Sequence, residues 1–170
     1  MPNPYDEPRA HQLREAYHAA FGGDQLPVPV ESIAEDLLGL AVEVRDDLPV
    51  SGMLLPSERR IVLRSDEPQQ RHRFTIAHEL GHWICQCLEG EMQPVYCRAA
   101  EIGVDAATKA REREANIFAA NLLMPEPMVR SAWPQDGEVA PTAKRFDVSD
   151  EAMEWRLFSF GFVGDPRLSA

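Results

Sequence analysis

The segment His78-Glu79-Leu80-Gly81-His82 contains an H-E-x-x-H pattern, whose residue types can bind a metal ion and hydrolyse a peptide bond. Residues four apart in an α-helix lie one turn apart on the same face, so the two imidazoles can bind one zinc ion. The carboxylate of Glu79 could accept a proton from a water molecule held on that metal. The spacing therefore predicts a metal-dependent hydrolase, with His78 and His82 as ligands and Glu79 as the general base.

A catalytic zinc site needs a third protein ligand, which must come from another part of the chain. Cys85 shares the histidine face, but it lies seven residues beyond His78, and a rise of about 10 Å is too far for one ion. On a helix predicted over residues 107–124, Glu112 and Asn116 fall on the apolar face that should pack on the core. Because a buried carboxylate is costly unless paired or metal-bound, we predict Glu112 as the third ligand. We expect Asn116 to hold a ligand imidazole by its second nitrogen.

These residues are predicted to be positioned by an α+β fold, in which a small three-stranded sheet with a hairpin packs on the H-E-x-x-H helix. Alternating apolar residues predict strands, and apolar residues at helical spacing predict helices. The strands are expected over residues 40–45, 52–55 and 60–64, and the main helices over residues 8–22, 30–38, 68–88 and 107–124. Residues 89–108 have weak periodicity and are predicted as a loop that can include a short helix.

The C-terminal part of the chain is predicted to be a helical tail. We divide the chain into a metallopeptidase domain over residues 1–140 and a tail over residues 141–170 that packs on the same domain. Residues 143–157 resemble a helix-turn-helix, with Ser149 capping the second helix. A helix that reads DNA presents Arg, Lys, Asn or Gln, whereas this helix carries three acidic side chains against one arginine. We therefore expect packing or docking of a protein substrate here, without direct nucleic-acid contact.

Composition narrows the class of protein further. The 170 residues carry a formal net charge of −11, and an acidic surface repels phosphate backbones. No apolar run approaches the roughly 18 residues that a membrane span needs, and the first residues do not form a secretory signal. The three cysteines (Cys85, Cys87 and Cys97) cannot all pair within one chain, so we expect a reducing cytoplasm. We predict buried thiols rather than a second metal cluster.

Two segments together resemble the ImmA/IrrE family of metallo-endopeptidases. The first is residues 73–82, Arg-Phe-Thr-Ile-Ala-His-Glu-Leu-Gly-His, and the second is residues 112–125, which run from Glu-Arg-Glu-Ala-Asn to Leu-Leu-Met-Pro. The predicted hairpin just before the first segment is similar too, and the resemblance covers about residues 8–160. It implies a zincin-like fold of minimal gluzincin type. Characterised members of this family cleave helix-turn-helix transcriptional repressors and so release mobile-element or DNA-damage genes.

The resemblance implies one zinc ion per chain, held by His78, His82 and Glu112, with Glu79 as the general base. The implied function is a zinc-dependent endopeptidase that cleaves a helix-turn-helix repressor in a stress or mobile-element response. The alternative is a regulatory binding protein with a structural zinc site, which sequesters its partner without proteolysis. The two differ in whether Glu79 is needed.

An oxyanion-stabilising donor is also expected in such a peptidase. Tyr96, Arg98 and His72 are available, and nothing in their spacing selects one of them. His72 lies about 120° around the helix from the ligand face, which counts against it.

Overall fold

A computed structural model of the chain describes residues 8–23, 25–87, 95–97 and 106–168, with the backbone alone for residues 95–97. The helices lie largely where apolar residues recur at helical spacing. They are α1 (Pro8–Phe21), α2 (Val30–Ser32, continued by a π-helical segment, Ile33–Leu37), α3 (Gln69–Cys85), α4 (Ala106–Leu123), α5 (Glu126–Asp136), α6 (Val139–Phe146) and α7 (Asp150–Ser159). Short 3-10 helices cover Pro56–Glu58 and Pro166–Leu168. No described helix is long and apolar enough to cross a membrane.

The sheet has four strands in the order β1-β3-β2-β4: β1 (Ala41–Arg45), β2 (Gly52–Leu55), β3 (Arg60–Arg64) and β4 (Val95–Cys97). β1 pairs with β3 in parallel, and β2 is antiparallel to both β3 and β4. The middle of β3, Ile61 to Leu63, is almost fully buried, as expected for an internal strand. The predicted α+β class with its small sheet and hairpin is confirmed, and all three predicted strands are present.

Two elements were not predicted. β4 falls in residues 89–108, where a loop was expected, and it pairs through its backbone with Gly52–Leu54. Helix α5 begins directly after Pro125, where the preceding helix was expected to end, and it contains Pro134. Proline lacks a backbone N–H and usually interrupts helices. The prolines in and before α5 therefore predicted a break where the structure has a helix. Helix α3 ends at Cys85, earlier than predicted.

Helices α3 and α4 pack closely because Gly81 lies between them. A Cβ atom at Gly81 would lie 2.9 Å from the Cα of Ala115 and 3.1 Å from its carbonyl oxygen. Such distances are too short for a real side chain, so glycine permits this approach. The two helices run antiparallel, since later residues of α3 contact earlier residues of α4.

The turn between α6 and α7 contacts the N-terminal end of α3. Asp147 has a φ of 50° in this turn, and its carboxylate accepts hydrogen bonds from Gln69 and Gln70 at 2.8 and 3.2 Å. Arg73 of α3 donates to the backbone carbonyl of Asp147 at 3.2 Å and to that of Val28 at 3.0 Å. The turn is thus bonded to the helix that carries the H-E-x-x-H segment.

Helix α7 contacts the C-terminal end of α4 through a buried arginine. Arg156 is 6% exposed, donates to the carbonyl of Met124 at 3.0 Å and to Oδ1 of Asn121 at 2.9 Å, and stacks on the ring of Phe160. The hydroxyl of Ser149 accepts a hydrogen bond from the backbone of Ala152 at 3.1 Å, so this residue caps α7 as expected. We call the bonds of Asp147, Arg73 and Arg156 the tail contacts. The predicted boundary between residues 140 and 141 falls inside α6 and stays a prediction.

Candidate metal centre

Three potential ligand side chains converge between α3 and α4. His78 and His82, four residues apart on α3, are buried, while Glu112 reaches them from α4 and is about a quarter exposed. The two Nε2 atoms are 3.0 Å apart. The carboxylate oxygens of Glu112 lie 3.1 Å from Nε2 of His78 and 3.2 Å from Nε2 of His82. Among the described residues, this is the group of His, Cys, Asp and Glu side chains that could hold a metal ion.

The other ring nitrogen of each histidine is bonded to a side-chain amide. Nδ1 of His78 lies 2.9 Å from Oδ1 of Asn116, and Nδ1 of His82 lies 2.8 Å from Oε1 of Gln86. An amide oxygen only accepts, so each Nδ1 carries a hydrogen and donates it. In a neutral imidazole the proton is then on Nδ1, and the lone pair is on Nε2.

This donor set fits a divalent cation. When both histidines are neutral, two Nε2 lone pairs and a carboxylate point at one another, and acceptors at such short distances repel unless a proton or a metal cation lies between them. Ligands about 2.0–2.1 Å from a tetrahedral zinc ion lie roughly 3.3 Å from one another. The observed separations of 3.0–3.2 Å are close to that value.

Glu79 is fully buried beside these ligands, and β2 passes close over it. Neither of its carboxylate oxygens makes a hydrogen bond of standard geometry among the described residues, although the backbone of Leu54 acts on the carboxylate as a weak donor. Gly52 permits the close approach of the strand, because a Cβ there would lie 2.2 Å from Cγ2 of Thr75 and 3.5 Å from Oε1 of Glu79. Burial raises the pKa of Glu79 to about 8, assisted by the negative charge of Glu112 and opposed by His82 and the backbone of Leu54.

The environment shifts the pKa of Glu112 in the opposite direction. In the metal-free protein, partial burial alone would raise the pKa of Glu112, but hydrogen bonds from His78 and His82, when these carry a proton on Nε2, and their charge lower it to about 2. Burial alone would lower the pKa of His82, and the bond to Glu112 with the charge of Glu79 raises it above its usual value. One carboxyl is therefore ionised at neutral pH, and the other can still hold a proton. Such a pair is typical of sites that divide ligand and proton-transfer roles between two carboxyls.

The structure does not bring His72 into this cluster. Nε2 of His72 lies 2.7 Å from the backbone carbonyl of Arg64 on β3 and donates to it. Tyr96 belongs to β4 through its backbone pairing with Met53, and Arg98 lies outside the described residues. Cys85 is 3% exposed and packs in the hydrophobic core.

Gln86 lies against His82, and it was not predicted from the sequence. Its position four residues after His82 was the available signal, since such residues are neighbours on a helix surface. A glutamine near a helix end is usually exposed, so the sequence pattern alone does not place it at a metal site.

Comparison with known proteins places this geometry in a family. Residues 39–158 match the model of the family Peptidase_M78, described as the IrrE N-terminal-like domain. The radiation response metalloprotease IrrE of Deinococcus radiodurans is 30% identical over 154 residues, which cover 88% of this chain and 44% of that protein. The chain thus spans less than half the length of this relative.

A solved structure shares the fold. A transcriptional regulator from Mycobacterium tuberculosis superposes with a TM-score of 0.68 at 20% identity, over 99% of this chain and 51% of that chain. At this identity the likeness shows the fold alone. The matching family model covers most of the chain and includes the H-E-x-x-H segment and Glu112. The ImmA/IrrE resemblance seen in the motifs is confirmed, and the chain belongs to the Peptidase_M78 family of IrrE N-terminal-like domains.

Proposed function

We propose that this chain is a zinc-dependent endopeptidase that binds one zinc ion through His78, His82 and Glu112. The observation that carries the proposal is the convergence of two Nε2 atoms and one carboxylate within 3.0–3.2 Å of one another. Imidazole and carboxylate ligands of this number are typical of catalytic zinc, which keeps a fourth position for water or substrate. The same ligands can bind manganese or iron, so the ligand types by themselves do not select zinc.

A zinc ion bound here would supply an activated water and polarise the scissile carbonyl. Glu79 accepts the proton of the attacking water and returns it to the leaving amine. The charge of a cation held by these ligands would favour the ionised form of Glu79 that this step needs. Asn116 and Gln86 hold the two imidazoles by Nδ1, which keeps both Nε2 lone pairs directed at Glu112.

The environment of Glu79 favours a peptidase over a binding protein with a structural zinc site. In a structural site Glu79 would have no task, yet both of its oxygens are buried without a hydrogen bond of standard geometry among the described residues. A buried unsatisfied group destabilises a fold by about 1–3 kcal/mol. Groups of this kind are common where catalysis needs a raised pKa.

We further propose that the substrate is a helix-turn-helix transcriptional repressor and that cleavage belongs to a stress or mobile-element response. The family resemblance supports this substrate class, and the relative from Deinococcus radiodurans is named for its radiation response. The net charge of −11 supports it as well, because an acidic protein attracts basic partners such as DNA-binding domains.

The proposal is tested by incubating the zinc-loaded protein with the repressor encoded nearest its gene and measuring intact masses. Glu79→Gln should slow a discrete cut about 10²–10⁴-fold, as expected when a general base is removed, while zinc is still bound. Glu114→Gln is the matched control, since Glu114 lies on α4 in a partly exposed ion pair with Arg9. Cleavage by both variants at the parental rate would exclude Glu79 as the base. A repressor that stays intact but co-elutes with every form would support the binding protein instead.

A further inference from the structure

We propose that Gln86 is a positioning residue of the metal centre, which holds His82 in its ligand orientation and joins it to the backbone of α4. The inference rests on the proposed zinc function and extends it to a residue outside the H-E-x-x-H segment. Gln86 directly follows α3, and it is only 7% exposed.

The side chain of Gln86 uses both ends of its amide. Oε1 lies 2.8 Å from Nδ1 of His82, and Nε2 donates to the backbone carbonyl of Arg111 at 3.3 Å. Arg111 directly precedes Glu112, so one amide connects a ligand on α3 with the turn of α4 that carries the next ligand. Removing this amide would free the ring of His82 to rotate. It would also remove a bond that fixes the distance between the two ligand-bearing segments.

The bond to Gln86 also selects the form of His82 that can bind a cation. The partner of one ring nitrogen determines which nitrogen carries the proton, and the amide oxygen requires N–H at Nδ1. An apolar side chain in its place would leave Nδ1 without an acceptor and allow the proton to move to Nε2. That nitrogen would then have no lone pair for a metal.

Asn116 has the corresponding place at His78, so both imidazoles are held by neutral amides. In many metal sites a carboxylate holds this nitrogen and makes the ligand more basic. An amide fixes the ring without adding negative charge, so Glu112 remains the single anionic ligand of the proposed set. A cation here keeps more of its positive charge for polarising a carbonyl.

The test measures the zinc dissociation constant by competition with a chromophoric chelator. Gln86→Leu should weaken zinc binding about 10–100-fold, the range found when such supporting partners are removed. Gln86→Glu retains an acceptor for His82 but loses the donor to Arg111, so its zinc affinity should lie between those of the parent and Gln86→Leu. Gln135→Leu is the matched control, because Gln135 is exposed and bonds only within its own helix to the carbonyl of Ser131 among its described contacts. Gln135→Leu should bind zinc as the parent does.

A second readout separates positioning from general stability. In the zinc-loaded parent, NMR should detect the Nδ1–H proton of His82, which its bond to Gln86 protects from exchange with water. This signal should be lost in Gln86→Leu and kept in Gln86→Glu. If Gln86→Leu does not fold, the unbranched Gln86→Met carries the same two expectations.

The outcomes distinguish this inference from the proposed function. Parental zinc affinity and an intact Nδ1–H signal in a folded Gln86→Leu or Gln86→Met would overturn the role of Gln86 and leave the zinc peptidase standing. A parent that binds no zinc would overturn both. Zinc binding by Gln86→Glu as weak as that of Gln86→Leu, with the Nδ1–H signal of His82 kept, would show that only the contact with Arg111 matters and would overturn the positioning of His82 by Gln86.

Discussion

Polar side chains contact one another at both ends of the antiparallel α3–α4 pair, but their hydrogen bonding differs between the two ends. At the end formed by the tail contacts, Arg73 and Arg156 donate to backbone carbonyls, and the carboxylate of Asp147 accepts from two glutamines. At the end with the candidate metal centre, the ligand atoms of three side chains face one another, and Glu79 makes no hydrogen bond of standard geometry among the described residues. Buried polar groups in native proteins are normally satisfied. The satisfied end therefore indicates structure, and the unsatisfied end indicates a ligand.

The largest effect on stability is expected at Glu79 in the metal-free protein. Because burial raises the pKa of Glu79 from 4.5 to about 8, the folded state binds an extra proton between these values. The free energy of unfolding should be highest below pH 4.5, fall as the pH rises toward 8 and stay constant above that pH. Glu79→Gln removes this dependence and should stabilise the metal-free protein by on the order of 4 kcal/mol at pH 8.

Chemical denaturation of both proteins at several pH values measures this difference. The two curves should meet near pH 4 and separate as the pH rises. If the free energies of unfolding of the two proteins changed with pH in parallel, the carboxylate of Glu79 would be stabilised by hydrogen bonds in the folded protein. The two ends of the α3–α4 pair would then not differ in this respect.

A smaller loss is expected at the satisfied end. Arg156→Met leaves the carbonyl of Met124 and the amide oxygen of Asn121 without this donor, which should destabilise the protein by about 2–3 kcal/mol. Zinc affinity should change little. Arg130→Met is the matched control, because Arg130 also stacks on Phe160 but is exposed, and its ion pair with Glu126 contributes about 1 kcal/mol or less.

Thermal unfolding and zinc titration of the two arginine variants provide the measurements. A loss of zinc affinity in Arg156→Met as large as its loss of stability would show that the two ends are coupled rather than separate.

The smallest effect is expected in the turn of the tail. Ser149→Ala removes the acceptor for the backbone N–H of Ala152 and should lower the free energy of unfolding by about 1 kcal/mol. Ser149→Asp keeps a capping oxygen and should restore the stability of the parent. Equal stability of all three proteins by denaturant titration would show that the tail contacts hold α7 without help from its cap.

Much of the site could be predicted because the spacing of residues within single helices determines where its side chains point. The four-residue spacing of His78 and His82 places both on one helical face, and the helical angle of Glu112 directs it to the core. The structure brings these three side chains together. Gln86 escaped prediction because its burial depends on where α4 packs, which the local pattern does not contain.

The parts of the fold that were missed depend on partners distant in sequence. The short strand Val95–Cys97 has no clear periodicity of its own and exists through its pairing with Gly52–Leu54. The parallel pairing of β1 with β3 likewise depends on long-range register. In α5, Pro127 lies in the first turn, where proline is tolerated, but with Pro134 it resembled a break.

The ligand set is tested most directly by a crystal structure of the zinc-loaded protein, with data at the zinc absorption edge. We expect one anomalous peak per chain, about 2.0–2.2 Å from Nε2 of His78, Nε2 of His82 and an oxygen of Glu112. A peak at Cys85 or elsewhere, or a protein that takes up no zinc, would contradict the ligand set and the peptidase built on it.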